Sequence, residues 1–181
     1  MSIVRGASKR ANTEMTLEFG HPDLDSLKFP QDDPLVITPI IGNYPVKRVR
    51  VDNGAYVNIL FHDKFLRMGY TNSQLTPSDA PIYGFNGVEC QVVGVIKLPV
   101  TIGKETTQML NFQVVKEAST NNAIMGRTGI HTFKAVPSTY QIILKFPTRN
   151  YVGEEHGDHK MARSCYIAAL RPSGTKGRSS Q

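Results

Sequence analysis

One carboxylate in this chain stands where it could do acid–base chemistry. Asp52 follows segments of apolar pattern (Leu35-Val36-Ile37-Thr38, then Val46 to Val51) and precedes Asn53-Gly54-Ala55. Val57-Asn58-Ile59-Leu60-Phe61 leads away from it. A carboxylate at a strand end, followed by a Gly that permits a tight turn, is how a β protein presents an acid in a cleft. The same residue types also make an ordinary Asp-Asn-Gly turn, so this segment by itself leaves both readings open. Two further segments invite the same pair of readings. Pro81 to Glu89 places Gly84 and Gly87 at a hairpin tip, where the backbone can flex or be approached closely by a ligand. Asn122-Ala123-Ile124-Met125-Gly126-Arg127 is a short apolar run ending in Gly-Arg, a pattern that also fits a plain buried strand capped by a turn.

The case for a metal is weaker. His156-Gly157-Asp158-His159, with Glu154, Glu155 and Cys165 nearby, fits no standard ligand spacing and reads as solvated linker. Cys90 and Cys165 are too far apart for a metal or redox motif and read as free thiols. No metal and no cofactor are expected.

The elements that must position Asp52 are strands. The chain has 181 residues, enough for one domain with tails, and 40% of them are hydrophobic. Residues 1–33 are polar and broken by Pro, and read as a flexible arm. Residues 34–147 are rich in Val, Ile, Thr and Tyr and punctuated by Gly and Pro, a β signature. Candidate strands are Leu35 to Ile41, Val46 to Val51, Ile59-Leu60, Ala80 to Phe85, Val88 to Leu98, Val100 to Ile102, Met109 to Val115 and Tyr140 to Phe146. His62 to Met68, stopped by Gly69, and Arg127 to Phe133 are candidate helices. Residues 148–181 read as a polar, basic linker. Short strands with little helix imply an all-β barrel or sandwich. The net charge is +6, and half of that excess lies in residues 148–181. No basic stripe is interleaved with aromatics, so the domain is not expected to bind nucleic acid; if it did, binding would be salt-sensitive and located in the tail. Apolar runs are short and broken, so no membrane span or signal segment is expected.

The three segments, in this order, resemble a retropepsin. That family's pattern is a strand ending in Asp-Thr/Ser-Gly-Ala/Ser, a Gly-rich flap hairpin, two hydrophobic residues followed by Gly-Arg, and a last strand. Here these are Asp52-Asn53-Gly54-Ala55, Gly84 to Gly87, Ile124-Met125-Gly126-Arg127 and Tyr140 to Phe146. The match is closest to the protease region of plant Ty3/gypsy-type retrotransposon Gag-Pol polyproteins and extends from about Thr16 to Pro172. It takes in Asp32-Asp33-Pro34-Leu35-Val36, Leu98-Pro99-Val100-Thr101 and Ala162-Arg163-Ser164-Cys165-Tyr166.

The resemblance implies a small closed retropepsin-like β-barrel with one short helix and one lobe per chain. The chain has a single Asp-x-Gly motif, so it also implies a homodimer in which each subunit contributes Asp52 to a shared dyad. Two carboxyl groups sharing one proton supply both the base and the acid that direct water attack on a peptide requires. Asn53, Gly54 and Ala55 would form the active-site loop. Tyr83, Gly84, Phe85, Asn86 and Gly87 would form the flap over an extended peptide. Ile124, Met125, Gly126 and Arg127 would support the loop from beneath, and Tyr140 to Phe146 would be an interface strand. The implied substrate is the element's own polyprotein, met in the cytoplasm or within virus-like particles. Three positions depart from the family: Asn53 where Thr or Ser is usual, Ala55 with no hydroxyl, and Tyr56 where a small residue is common. A second reading is therefore a catalytically silent retropepsin-like domain, kept for dimerisation or peptide binding in a decayed or domesticated element.

Overall fold

Alternation of apolar and polar side chains builds the centre of the molecule. In 92–102 the inward residues are Ile96, Leu98, Val100 and Ile102, all buried, while Val95, Lys97, Pro99 and Thr101 take the other face. This segment returns through a turn at Gly103, whose positive φ suits a residue without Cβ, into 106–115, where Leu110, Phe112 and Val114 complete the inward face.

A computed structural model of the chain describes residues 15–24, 33–78, 81–83 and 89–170, excepting the side chains of 166–170. In chain order the strands and helices are β1 (Val36–Ile37), β2 (Ile40–Ile41), β3 (Tyr44–Pro45), β4 (Val49–Val51), β5 (Asn58–Phe61), α1 (His62–Arg67), β6 (Ile82–Tyr83), β7 (Glu89–Cys90), β8 (Val92–Ile102), β9 (Thr106–Val115), β10 (Ala123–Met125), α2 (Arg127–Thr132), β11 (Val136–Ser138), β12 (Ile143–Pro147), β13 (Val152–His156) and α3 (His159–Leu170). The main sheet runs β1-β4-β10-β5-β9-β8-β2-β3; a second sheet is β11-β12-β13, and β6 pairs with β7. Most of the core lies between these layers, with Phe65, Phe112, Phe146 and Leu35 among its largest buried side chains.

The architecture is mostly β, as the composition implied, but it differs from the expectation in several ways. The main sheet has a linear strand order ending in β1 and β3, and no pairing joins those ends among the described residues, so a closed barrel is not seen. Three α-helices, rather than one, are present among the described residues. β8 passes through Pro99 without a break. β12 is not an unpartnered edge: β11 and β13 flank it within the same chain. Its apolar character is satisfied there, with Ile143, Leu144 and Phe146 buried.

The segment from 148 onward, read as linker, carries β13 and α3. Asp158 starts the helix, its carboxylate accepting from the Met161 N–H at 2.9 Å. The Asp158 N–H donates to the Val36 carbonyl at 2.8 Å, which ties α3 to β1. Among the side chains described in α3, the buried ones are small, Ala162 and Cys165.

Part of the N-terminal arm is also fixed. Residues 15–24, with a 3-10 turn at His21–Leu24, are held by Lys145 of β12. Its side chain, only 8% exposed, reaches the Glu18 carbonyl (2.7 Å), Asp23 (2.9 Å) and Glu154 (3.2 Å) and lies 5.1 Å from the centre of the Phe19 ring. Burial pulls the Lys145 ammonium down, but the hydrogen bonds it donates to the Asp23 and Glu154 carboxylates, with their charges, outweigh it and the net shift is upward. Asp23 is held below the ordinary aspartate value, first by the Gly20 N–H and then by Lys145.

The expected consequence has a definite sign. Stability from Asp23 is present at neutral pH and lost as pH falls through its depressed value; that from Lys145 is lost only as pH rises above the ordinary lysine value. Lys145→Met is expected to cost about 2 kcal/mol in urea unfolding, because it leaves two carboxylates facing each other. It should also expose 15–24 to limited proteolysis, and unchanged protection there would show that the arm is held by other contacts.

Candidate active site

β10 lies between β4 and β5, which are consecutive in the chain. It is parallel to β4 (Met125 opposite Val51) and antiparallel to β5 (Ala123 opposite Leu60). Residues 52–57 must therefore cross the end of β10, a gap of about 10 Å at ordinary strand spacing. This crossing is the Asp52 loop. The Asp52 N–H donates to the Met125 carbonyl (3.0 Å), and the Ala55 carbonyl accepts from the Arg127 N–H (2.8 Å). The Tyr56 carbonyl accepts from the Thr128 N–H (3.2 Å). The loop is thus stitched to the end of β10 and the first turn of α2.

Within the loop, Asp52 Oδ1 accepts from the Gly54 N–H at 2.8 Å, and the Ala55 N–H donates to the Asp52 carbonyl at 3.2 Å. This is an Asx-turn nested in a β-turn. Asp52 Oδ2 faces Arg50 Nε at 3.5 Å, and the Asp52 side chain is 12% exposed. Gly54 differs from the expectation. It does not lie in the left-handed region, and among the described residues no atom is given within 4 Å of a Cβ built on it. Neither its backbone conformation nor packing against the described residues requires Gly at this position.

Asp52 opens into a cleft of about 780 Å³ lined by Pro34, Leu35, Arg50, Asn53, Pro137 and Tyr140 among others. A second carboxylate, Asp33, borders the same cleft, but it faces Arg163 (3.5 Å) and His159 (3.8 Å) of α3.

The other expected site residues fall as follows. Asn53 and Gly54 are exposed and Ala55 half-buried. Ile124, half-buried, and Met125, buried, lie in β10 beneath the loop, and Gly126 precedes α2. A Cβ on Gly126 would collide with the Val57 carbonyl oxygen and come within 2.8 Å of that of Ala55. Arg127 places its guanidinium 5.3 Å from the centre of the Tyr56 ring, which is 68% exposed. Tyr83 is exposed at the end of β6, whose partner β7 forms the other arm of the hairpin. Gly84, Phe85, Asn86 and Gly87 lie outside the described residues. The histidines considered for a metal turn to different carboxylates, His156 to Glu154 (3.6 Å) and His159 to Asp33.

Two contributors were not anticipated. Asn58 is buried in β5; its Oδ1 accepts from the N–H groups of Gly126 (3.0 Å) and Gly129 (3.1 Å), and its Nδ2 donates to the Asn111 carbonyl (3.0 Å). A polar residue at an inward position of an otherwise apolar strand was the signal available. Arg50 of β4 is the other, two residues before Asp52, with its Nε facing the Asp52 carboxylate.

No family model and no curated protein matches the chain. Among solved structures, the retroviral protease-like domain of Ddi1 from Leishmania major superposes with a TM-score of 0.55 at 18% identity, covering 71% of this chain and 96% of that one. A retropepsin-like aspartic protease from Rickettsia conorii gives 0.43 at 17% identity, over 66% and 80%. The first likeness shows that this chain has a retropepsin-like fold.

Substitutions beneath the loop are expected to be costly. Asn58→Leu would leave two buried N–H groups without an acceptor, a loss of about 3 kcal/mol in chemical denaturation. Gly126→Ala should cost at least as much, since backbone oxygens must move. A loss below about 1 kcal/mol in both would show that the loop is not held from beneath.

Proposed function

We propose that this chain is an aspartic endopeptidase acting as a homodimer, each protomer contributing Asp52 to a shared dyad, and that its substrate is the polyprotein of a retroelement of the plant Ty3/gypsy type. The observation that carries this reading is the setting of Asp52: a carboxylate fixed by its own loop at the floor of an open cleft, on a retropepsin-like fold. Gly54 supports it. The space beside that residue is unused by the described residues of the chain, and it is available to a substrate or a second copy.

The chemistry follows from the number of carboxylates. One ionised Asp52 takes a proton from water as the water oxygen bonds to the scissile carbonyl carbon. The partner subunit's Asp52, protonated, gives its proton to the carbonyl oxygen. The resulting diol collapses, the C–N bond breaks, and the amine leaves with a proton returned from the dyad. A single carboxylate cannot be base and acid at once, and Asp33 is committed to Arg163 and His159 of α3. The titration belongs to the pair. Asn53 carries both a donor and an acceptor and takes the loop-to-loop role of the usual hydroxyl with a longer reach. Tyr83 and the hairpin behind it take the substrate-facing role, in which an extended peptide pairs along a strand edge.

Cleavage of a peptide library at mildly acidic pH, with mass in solution recorded, tests the proposal. Wild type should cleave as a dimer. Asp52→Asn should lose about a thousandfold or more in activity and remain dimeric. Asp33→Asn should keep its activity within a few-fold and change stability by about 1 kcal/mol or less. Cleavage that survives Asp52→Asn would remove Asp52 from the chemistry, and loss confined to Asp33→Asn would move it to Asp33. A folded, dimeric wild type that cleaves nothing across pH and salt would favour the silent peptide-binding reading.

A further inference from the structure

Arg50 has a charge that the site, read as a dyad, does not fully use. Among the described residues bordering the cleft it is the one cation, and its side chain is 41% exposed. Its approach to Asp52 is through Nε, at 3.5 Å. This is a loose ion pair, longer than a charge-assisted hydrogen bond. A guanidinium carries five N–H donors in a planar fork suited to a carboxylate, and Nε supplies one of them. Asp33 takes nothing from Arg50, since it faces Arg163 and His159.

Charge balance then points outward. A dyad sharing one proton carries a single negative charge, while the two protomers bring an Arg50 each. One positive charge is left over beside the reacting centre, in a cleft that among the described residues is otherwise bordered by apolar and neutral side chains apart from Asp52 and the engaged Asp33. Arg50 lies in β4 just before the Asp52 loop with its Nε 3.5 Å from the Asp52 carboxylate, which places it next to whatever residue lies beside the scissile bond. We propose that Arg50 is a specificity-determining residue that selects an acidic substrate side chain, Asp or Glu, at a position flanking the scissile bond. The inference rests on the reading of the cleft as a peptide site; it does not require that the site be catalytically competent.

The test uses the full chain and short peptides carrying a non-cleavable hydroxyethylene unit in place of the scissile bond. The peptides are built otherwise of Ala and Val and differ by Glu or Gln on one side of that unit or the other. Wild type should bind one Glu peptide about tenfold more tightly than its Gln counterpart, with the ratio shrinking as salt is raised. Arg50→Leu should bring the ratio close to one, Arg50→Lys should keep part of it, and Arg50→Glu should invert it in favour of a Lys peptide. Arg50 is half-exposed, so these variants are expected to fold, which circular dichroism and mass in solution would verify. A wild-type ratio below about twofold at both positions, a ratio unchanged in Arg50→Leu, or no binding of any of these peptides would overturn the proposal. Selective binding without hydrolysis of the matching cleavable peptides would uphold it and overturn the catalytic reading instead.

Discussion

The insertion of β10 between two strands that are neighbours in the chain is the constraint on which the rest of the site depends. With β4 and β5 held apart, their connection has no route except across the end of β10. The loop of residues 52–57 is turned by its own Asx-turn and fastened by hydrogen bonds to that end and to the helix that follows it. Asn58 makes the junction possible. Without its side-chain oxygen, the N–H groups of Gly126 and Gly129 would be buried with no partner, a cost comparable to a large core truncation. Gly126 is required for a related reason, because two loop carbonyls occupy the space a side chain would need.

Electrostatics divides the cleft into two regions. On the α3 side, Asp33 is matched by Arg163 and His159, so its charge serves to fasten the helix beside β1. On the loop side, Asp52 is matched loosely by Arg50, and both remain able to meet a ligand. A retropepsin-like fold supplies the frame for this arrangement, but the pairing of Arg50 with Asp52 is a property of these particular side chains.

Lys145 plays the corresponding part at a distance from the cleft. It gathers the N-terminal segment, β12 and β13 around one buried ammonium: Glu18 and Asp23 come from the N-terminal segment and Glu154 from β13. Among the described residues no helix is long and apolar enough to cross a membrane and no strand pair closes the main sheet; α3 is tied to its edge strand β1 through the Asp158 N–H and the Val36 carbonyl.

Strand alternation in β8 and β9, the turn after Asp52 and the apolar run into Gly126 were legible from the residues alone, because each depends on neighbours a few positions away. The sequence by itself therefore determined a mostly β chain with one Asp-x-Gly loop and a candidate support strand. The terminal segments were misread for the complementary reason. β13 and α3 bury small or alternating side chains, and residues 15–24 are held by one buried lysine far along the chain, so neither leaves an apolar signature in sequence. The roles of Asn58 and Arg50, and the freedom of Gly54 from any demand of the described residues, were decided only by the tertiary structure. They arise from contacts or empty space between segments that sequence spacing does not bring together.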